Sequence, residues 1–116
     1  MGLDSYAFVT ATPDGALSDA HSFYYWRKHH DLLAWAEAIA KEKGAEIERE
    51  EDYCFFSIQL EPSDIDRLEA EVLSGQLYTK ETLSQRHFLR LCDIDFISKA
   101  RIAFQAGLFV SFTSDW

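Results

Sequence analysis

The run CFFSIQLEPSDIDRLEAEVLSG, residues 54–75, changes its period within two residues. Its first part alternates, with Cys54, Phe56, Ile58 and Leu60 against Phe55, Ser57 and Gln59. That pattern is a strand with one face on a core. Its second part carries helix start and stop signals. Ser63 is the expected N-cap, and Asp64 and Asp66 suit the positive end of a helix. Ile65, Leu68 and Val72 form an apolar stripe, and Gly75 ends it. A strand that feeds directly into an amphipathic helix constrains the fold strongly. The helix must bury its stripe against a sheet.

The rest of the chain repeats the theme. SYAFVTAT predicts a strand at about 6–12, followed by a turn at TPDG, 12–15. Asp31 can cap a helix in which Leu32, Trp35, Ala36, Ile39 and Lys43 recur at helical spacing, closed at Gly44. Residues 23–30 read either as a short strand at Phe23–Trp26 or as an earlier helix start. AEIEREEDY, 45–53, is a solvated connection or an exposed edge strand. QLYTKETLSQ, 76–85, reads as loop, and RHFLRL, 86–91, as a short strand. Asp93 then caps a third helix with Ile94, Ile97, Ala100 and Phe104 inward, closed at Gly107 before a last strand at 108–113. The expected architecture is a single α+β domain over 1–116, a two-layer sandwich of three or four strands with three helices packed on it. A small three-layer α/β fold is the alternative.

Charge narrows the function classes. The chain has 116 residues and a net charge of −9. Such a molecule is repelled from nucleic acid and from anionic lipid. No apolar stretch approaches the ~20 residues of a membrane span. No signal peptide is legible at the start. The two cysteines, Cys54 and Cys92, lack metal spacing, and Cys54 reads as a buried reduced thiol, which fits a reducing compartment. No phosphate-binding glycine loop, zinc helix or nucleophile elbow occurs, so neither a cofactor nor a catalytic residue is assigned.

One local cluster can carry binding chemistry. FYYWRKHHDLLAW, 23–35, sets Arg27, Lys28, His29 and His30 between Trp26 and Trp35. At a helix start, Arg27, Lys28 and His29 can hold a phosphate or carboxylate, walled by the two tryptophans. The plainer reading pairs the cations with surface acids and leaves the histidines as helix caps. Adjacent histidines point different ways and make a poor metal pair. His21 and His87 lie far off in sequence. Arg86, His87 and Arg90 form a second basic patch, expected to bridge to the acids at 46–52.

The blocks MGLDSY at 1–6, YWRKHHDLLAW at 25–35, SGQL at 74–77 and SDW at 114–116 together resemble a family of small bacterial and phage proteins. Its members begin MGLDMY, carry YWRKH followed by LHxW, and end in an aromatic-plus-DSWW tail. The match falls on Gly2, Leu3, Asp4, Tyr6, Tyr25, Trp26, Arg27, Lys28, His29, Leu32 and Trp35, and on Asp115 and Trp116. Leu33 stands where the family has His, and RHFLRLC replaces a Phe- and Gly-rich stretch. The resemblance implies a cytoplasmic protein of bacterial or prophage origin and implies no activity. If the terminal strands are neighbours, Asp4 or Asp115 can pair with Arg27 or Lys28, making the cluster an ion-pair knot.

Two functional readings follow. The first is a non-enzymatic interaction protein, such as an inhibitor, docking on a basic partner surface. Eleven of the twenty acids fall between Glu42 and Glu71. The second is a binder or enzyme for a phosphorylated or carboxylated small molecule, using Trp26, Arg27, Lys28, His29 and Trp35. The sequence also leaves a homo-oligomer open, with Phe55 or Phe109 as a dimer face.

Overall fold

The computed structural model describes residues 4–11, 21–27, 29–50, 53–79 and 83–115. The expected turn at 12–15, Lys28, Trp116 and the side chains of Cys54 and Asp115 lie outside the described residues. The elements are β1 (Asp4–Thr10), β2 (His21–Arg27), α1 (His30–Glu42), β3 (Glu48–Glu50), β4 (Tyr53–Leu60), α2 (Pro62–Ser74), α3 (Leu83–Gln105) and β5 (Phe109–Asp115). The strands form one sheet in the order β2-β1-β5-β4-β3, antiparallel throughout. This is the α+β fold expected, with helices packed on a small sheet. The sheet has five strands rather than three or four, because residues 21–27 and the charged run at 48–50 both join it at its edges.

The inner face of the sheet carries Ala7, Trp26, Phe56, Ile58, Leu60, Val110 and Phe112, all buried. Alternation puts them there: Phe56, Ile58 and Leu60 are spaced by two, as are Val110 and Phe112. α1 packs on β4, α3 on β5, and α2 along α3. On the opposite face Tyr6 and Tyr25 meet at 5.1 Å, and the Ser57 and Thr113 hydroxyls share a hydrogen bond of 3.0 Å. Phe55 and Phe109 are half-buried.

A bulge in β2 sets up the site. The register runs from Tyr24 opposite Ala7 to Ser22 opposite Phe8, so Phe23 is an extra residue. Tyr24 and Trp26 face the helices in normal alternation, and the bulge turns Phe23 toward them too. All three rings meet Phe96 of α3, at centroid distances of 5.8, 4.7 and 5.7 Å for Tyr24, Trp26 and Phe23.

Several helix boundaries differ from the sequence reading. α2 begins at Pro62, capped by Glu61 rather than Ser63, because Asp64 Oδ2 accepts the Glu61 N–H at 2.8 Å. Gly75 ends it with φ of 80°, a left-handed cap that suits glycine. The expected strand at 86–91 and the helix starting at Asp93 are one helix, α3. No glycine or proline interrupts 83–105, so nothing breaks the helical ladder at Asp93. Its phase buries Asp93, Phe96, Ile97 and Ala100, and leaves Ile94 39% exposed rather than inward.

Candidate functional site

The WRKH segment is split by the strand-to-helix junction it spans. Trp26 is the penultimate residue of β2 and points to the core, whereas Arg27, the last, is exposed. His29 is the N-cap of α1. The cap is therefore His29, not Asp31. His29 Nδ1 accepts the Leu32 backbone N–H at 3.3 Å. Asp31 is buried, and its Oδ1 accepts the Thr79 hydroxyl at 3.1 Å.

His29 and Trp26 converge on one carboxylate, and it belongs to the protein. Asp93, fully buried in the middle of α3, accepts three hydrogen bonds. Trp26 Nε1–H donates to Oδ1 at 3.2 Å. His29 Nε2 lies 2.9 Å from Oδ2, and the Tyr78 hydroxyl donates to the same oxygen at 2.6 Å. Because Nδ1 is an acceptor for Leu32, the imidazole proton sits on Nε2 and points at Asp93. A buried carboxylate is costly unless its lone pairs are filled. Here β2, the α1 cap and the segment after α2 each supply one donor. The network ties four elements of the chain to one side chain.

A histidine held by an aspartate is also the geometry of a catalytic base and its orienter. That chemistry needs the second ring nitrogen free and accessible. In this chain Nδ1 is occupied by Leu32 N–H, and His29 is 1% exposed. The pair is closed to substrate and acts as a structural joint.

Tyr78 responds to the same environment. Burial first, then the hydrogen bond to Asp93, pushes its hydroxyl well above the ordinary value of 10.0. Tyr24 is also pushed up, by burial and then by Cys92 and Asp95 beside it. The sign of the pH effect follows. Above pH 10 the unfolded chain loses tyrosine protons that the folded chain keeps, so stability falls as pH rises. Below pH 10 the contribution is fully present. Urea midpoints measured from pH 8 to 11 should be flat at first. They should then fall, by at most about 1.4 kcal/mol per pH unit for each such tyrosine. Tyr78→Phe should remove part of the slope. An unchanged slope would count against the buried hydroxyl.

The remaining sequence candidates lie apart from this network. Of the five residues expected to line an anion site, Trp26, Arg27, Lys28, His29 and Trp35, Lys28 lies outside the described residues and Arg27 is exposed. Trp26, His29 and Trp35 are buried. Trp35 lines the wall of a shallow cleft of about 280 Å³ together with Asp31, Arg67, Glu71, Gln76 and Thr79. Its Nε1 has no hydrogen-bond partner among the described residues. The ion-pair knot expected at Asp4 takes another form. The terminal strands are neighbours, with Asp4 opposite Arg27 on one side and Asp115 on the other. The Asp4 carboxylate accepts the Tyr25 hydroxyl at 2.7 Å, and that bond raises the Tyr25 pKa. His87 is exposed on α3, and Arg90 donates to the Leu73 carbonyl at 3.4 Å. No group of three or more His, Cys, Asp or Glu side chains among the described residues can hold a metal. None of the described helices is long and apolar enough to cross a membrane.

Asp93 and Tyr78 are the residues that sequence reasoning missed. A signal was present. Leu89, Asp93, Phe96, Ile97 and Ala100 share one helical face, and a lone acid on an apolar stripe needs buried donors. Compared with family models, curated proteins and solved structures, the chain matches none.

Proposed function

We propose that the protein is a non-enzymatic binding module that docks on a partner protein with a basic surface. One observation carries this reading. Residues 42–71 hold eleven acids against three bases, Lys43, Arg49 and Arg67, a net of −8 out of the chain's −9. This segment is the end of α1, the β3–β4 edge of the sheet and most of α2. Several of its acids are held internally: Glu42 by Arg67 at 3.0 Å, Asp64 by Lys43 at 3.0 Å, Asp66 and Glu69 by Arg101 at 3.1 and 3.0 Å. Glu46 and Glu48 are exposed beside the edge strand. A one-signed surface of this kind steers association with an opposite one. The closed state of the His29–Asp93 pair supports the same reading, because the side chains best equipped for chemistry face each other. The small-molecule reading has less support, since three of its five side chains are buried.

Affinity capture from bacterial lysate with the immobilised protein tests the proposal. The expected result is one basic protein in stoichiometric amount, lost at about 0.5 M salt, where exposed charges are screened beyond a few Å. Glu46→Lys combined with Glu48→Lys should lose it at low salt. Equal capture by the charge-reversed variant would contradict the proposal.

A further inference from the structure

The shallow cleft beside Trp35 carries an unsatisfied donor. Trp35 is 6% exposed, and its Nε1 has no hydrogen-bond partner among the described residues. A buried N–H has given up water on folding, so one left without an acceptor is costly and calls for a partner from outside the chain. The cleft that Trp35 borders, about 280 Å³, lies between one face of α1, two residues of α2 and the segment that follows α2. Ala34 and Ala38, one turn apart on α1, are exposed in its wall, where larger side chains would fill the space. Pockets for drug-sized molecules start at about 300 Å³, so the occupant is small.

The charges in the wall set the class of occupant. Arg67 and Glu71 stand four apart on α2, the spacing at which opposite charges pair. Arg67 instead meets Glu42 of α1 at 3.0 Å, and Glu71 forms no ion pair among the described residues. Asp31, also in the wall, is buried and accepts the Thr79 hydroxyl. The cleft therefore offers the Glu71 carboxylate to a cation. It offers the indole N–H and the remaining donors of a guanidinium to an oxygen anion. Ala34, Ala38, Ile39 and Leu77 supply an apolar side. We propose that the cleft binds a free α-amino acid with an apolar side chain. Its carboxylate accepts from Trp35 Nε1 and Arg67, and its ammonium donates to Glu71. A simple amine or a simple carboxylate meets only one of the two demands. The site does not rest on the basic partner proposed above, whose test lies at Glu46 and Glu48.

Titration of isotope-labelled protein with L-leucine, read at the tryptophan indole N–H resonances, tests the proposal. The resonance lost in Trp35→Phe identifies Trp35. In the wild-type chain it should move and saturate at millimolar leucine. Isocaproate, which lacks the ammonium, and isoamylamine, which lacks the carboxylate, should each bind at least about tenfold more weakly. Ala34→Leu, which fills the cleft, and Arg67→Ala should each weaken leucine binding at least about tenfold. Both positions are exposed, so both variants should unfold at wild-type urea concentrations. A Trp35 resonance that stays in place up to about 50 mM leucine overturns the proposal. So does binding of either truncated probe as tight as that of leucine, and so does leucine binding that either substitution leaves unchanged.

Discussion

Asp93→Ala should cost about 3–6 kcal/mol of folding stability, the largest loss expected of any single substitution here. The substitution strands three buried donors at once: Trp26 Nε1, His29 Nε2 and the Tyr78 hydroxyl. Each stranded donor costs about 1–3 kcal/mol, because it gave up water on folding and has no replacement. Relief from desolvating the carboxylate offsets part of this loss. The offset is incomplete, since the donors stay buried when the acid is gone. A domain of this size has only about 5–15 kcal/mol in total, so much of the variant will be unfolded at 37 °C. Asp93→Asn should be milder, about 1–3 kcal/mol, because one oxygen still accepts while the amide faces a donor. Urea unfolding of the three proteins checks the order. A loss under about 1 kcal/mol for Asp93→Ala would show that the carboxylate is not the joint described.

His29→Ala should be the second largest effect, about 3–4 kcal/mol. Two roles are lost together. The cap on Leu32 N–H contributes about 1 kcal/mol, and the donor to Asp93 contributes more because the charge it serves is buried. His29→Asn separates the roles. Asparagine is a good N-cap, but its side chain is too short to take the place of the ring's far nitrogen. It should recover about 1 kcal/mol relative to alanine. Combining His29→Ala with Asp93→Ala should cost less than the sum of the two, by more than about 1 kcal/mol, because both remove one bond. Additivity within about 0.5 kcal/mol would place the two residues in separate roles.

The parts of this fold legible in the sequence are those where local pattern and tertiary environment agree. Phe56, Ile58 and Leu60 alternate because one face of β4 is buried. Leu32, Trp35, Ala36 and Ile39 recur at helical spacing because α1 lies on the sheet, and all four are buried as expected. Two features resisted. Local preference divides α3 at Asp93, because aspartate favours helix starts in general. Here a tertiary role overrides that preference, and the acid faces inward to meet donors from three other segments. The β2 strand was ambiguous because its bulge at Phe23 breaks alternation, so FYYW fits neither period cleanly.

The candidate site was legible only in outline. Of the residues at 26–29, Trp26 and His29 belong to a buried polar network with Asp93 and Tyr78. Their target is hidden, since His29 and Asp93 stand 64 positions apart and the chain between them carries no local signal of contact. The basic, aromatic run at 23–35 of this acidic chain is explained by the strand-to-helix junction it spans. Strand alternation and the helix cap turn Trp26 and His29 inward onto an internal anion, and leave Arg27 at the surface.

The most direct test of that explanation is the nitrogen spectrum of the histidine rings in the folded protein near neutral pH. His29 should show a protonated Nε2, coupled to Asp93, and an unprotonated Nδ1. Phosphate or citrate added to millimolar concentration should leave both shifts in place. A protonated Nδ1, or His29 shifts that move with added anion, would contradict the closed joint and return the cluster to a ligand site.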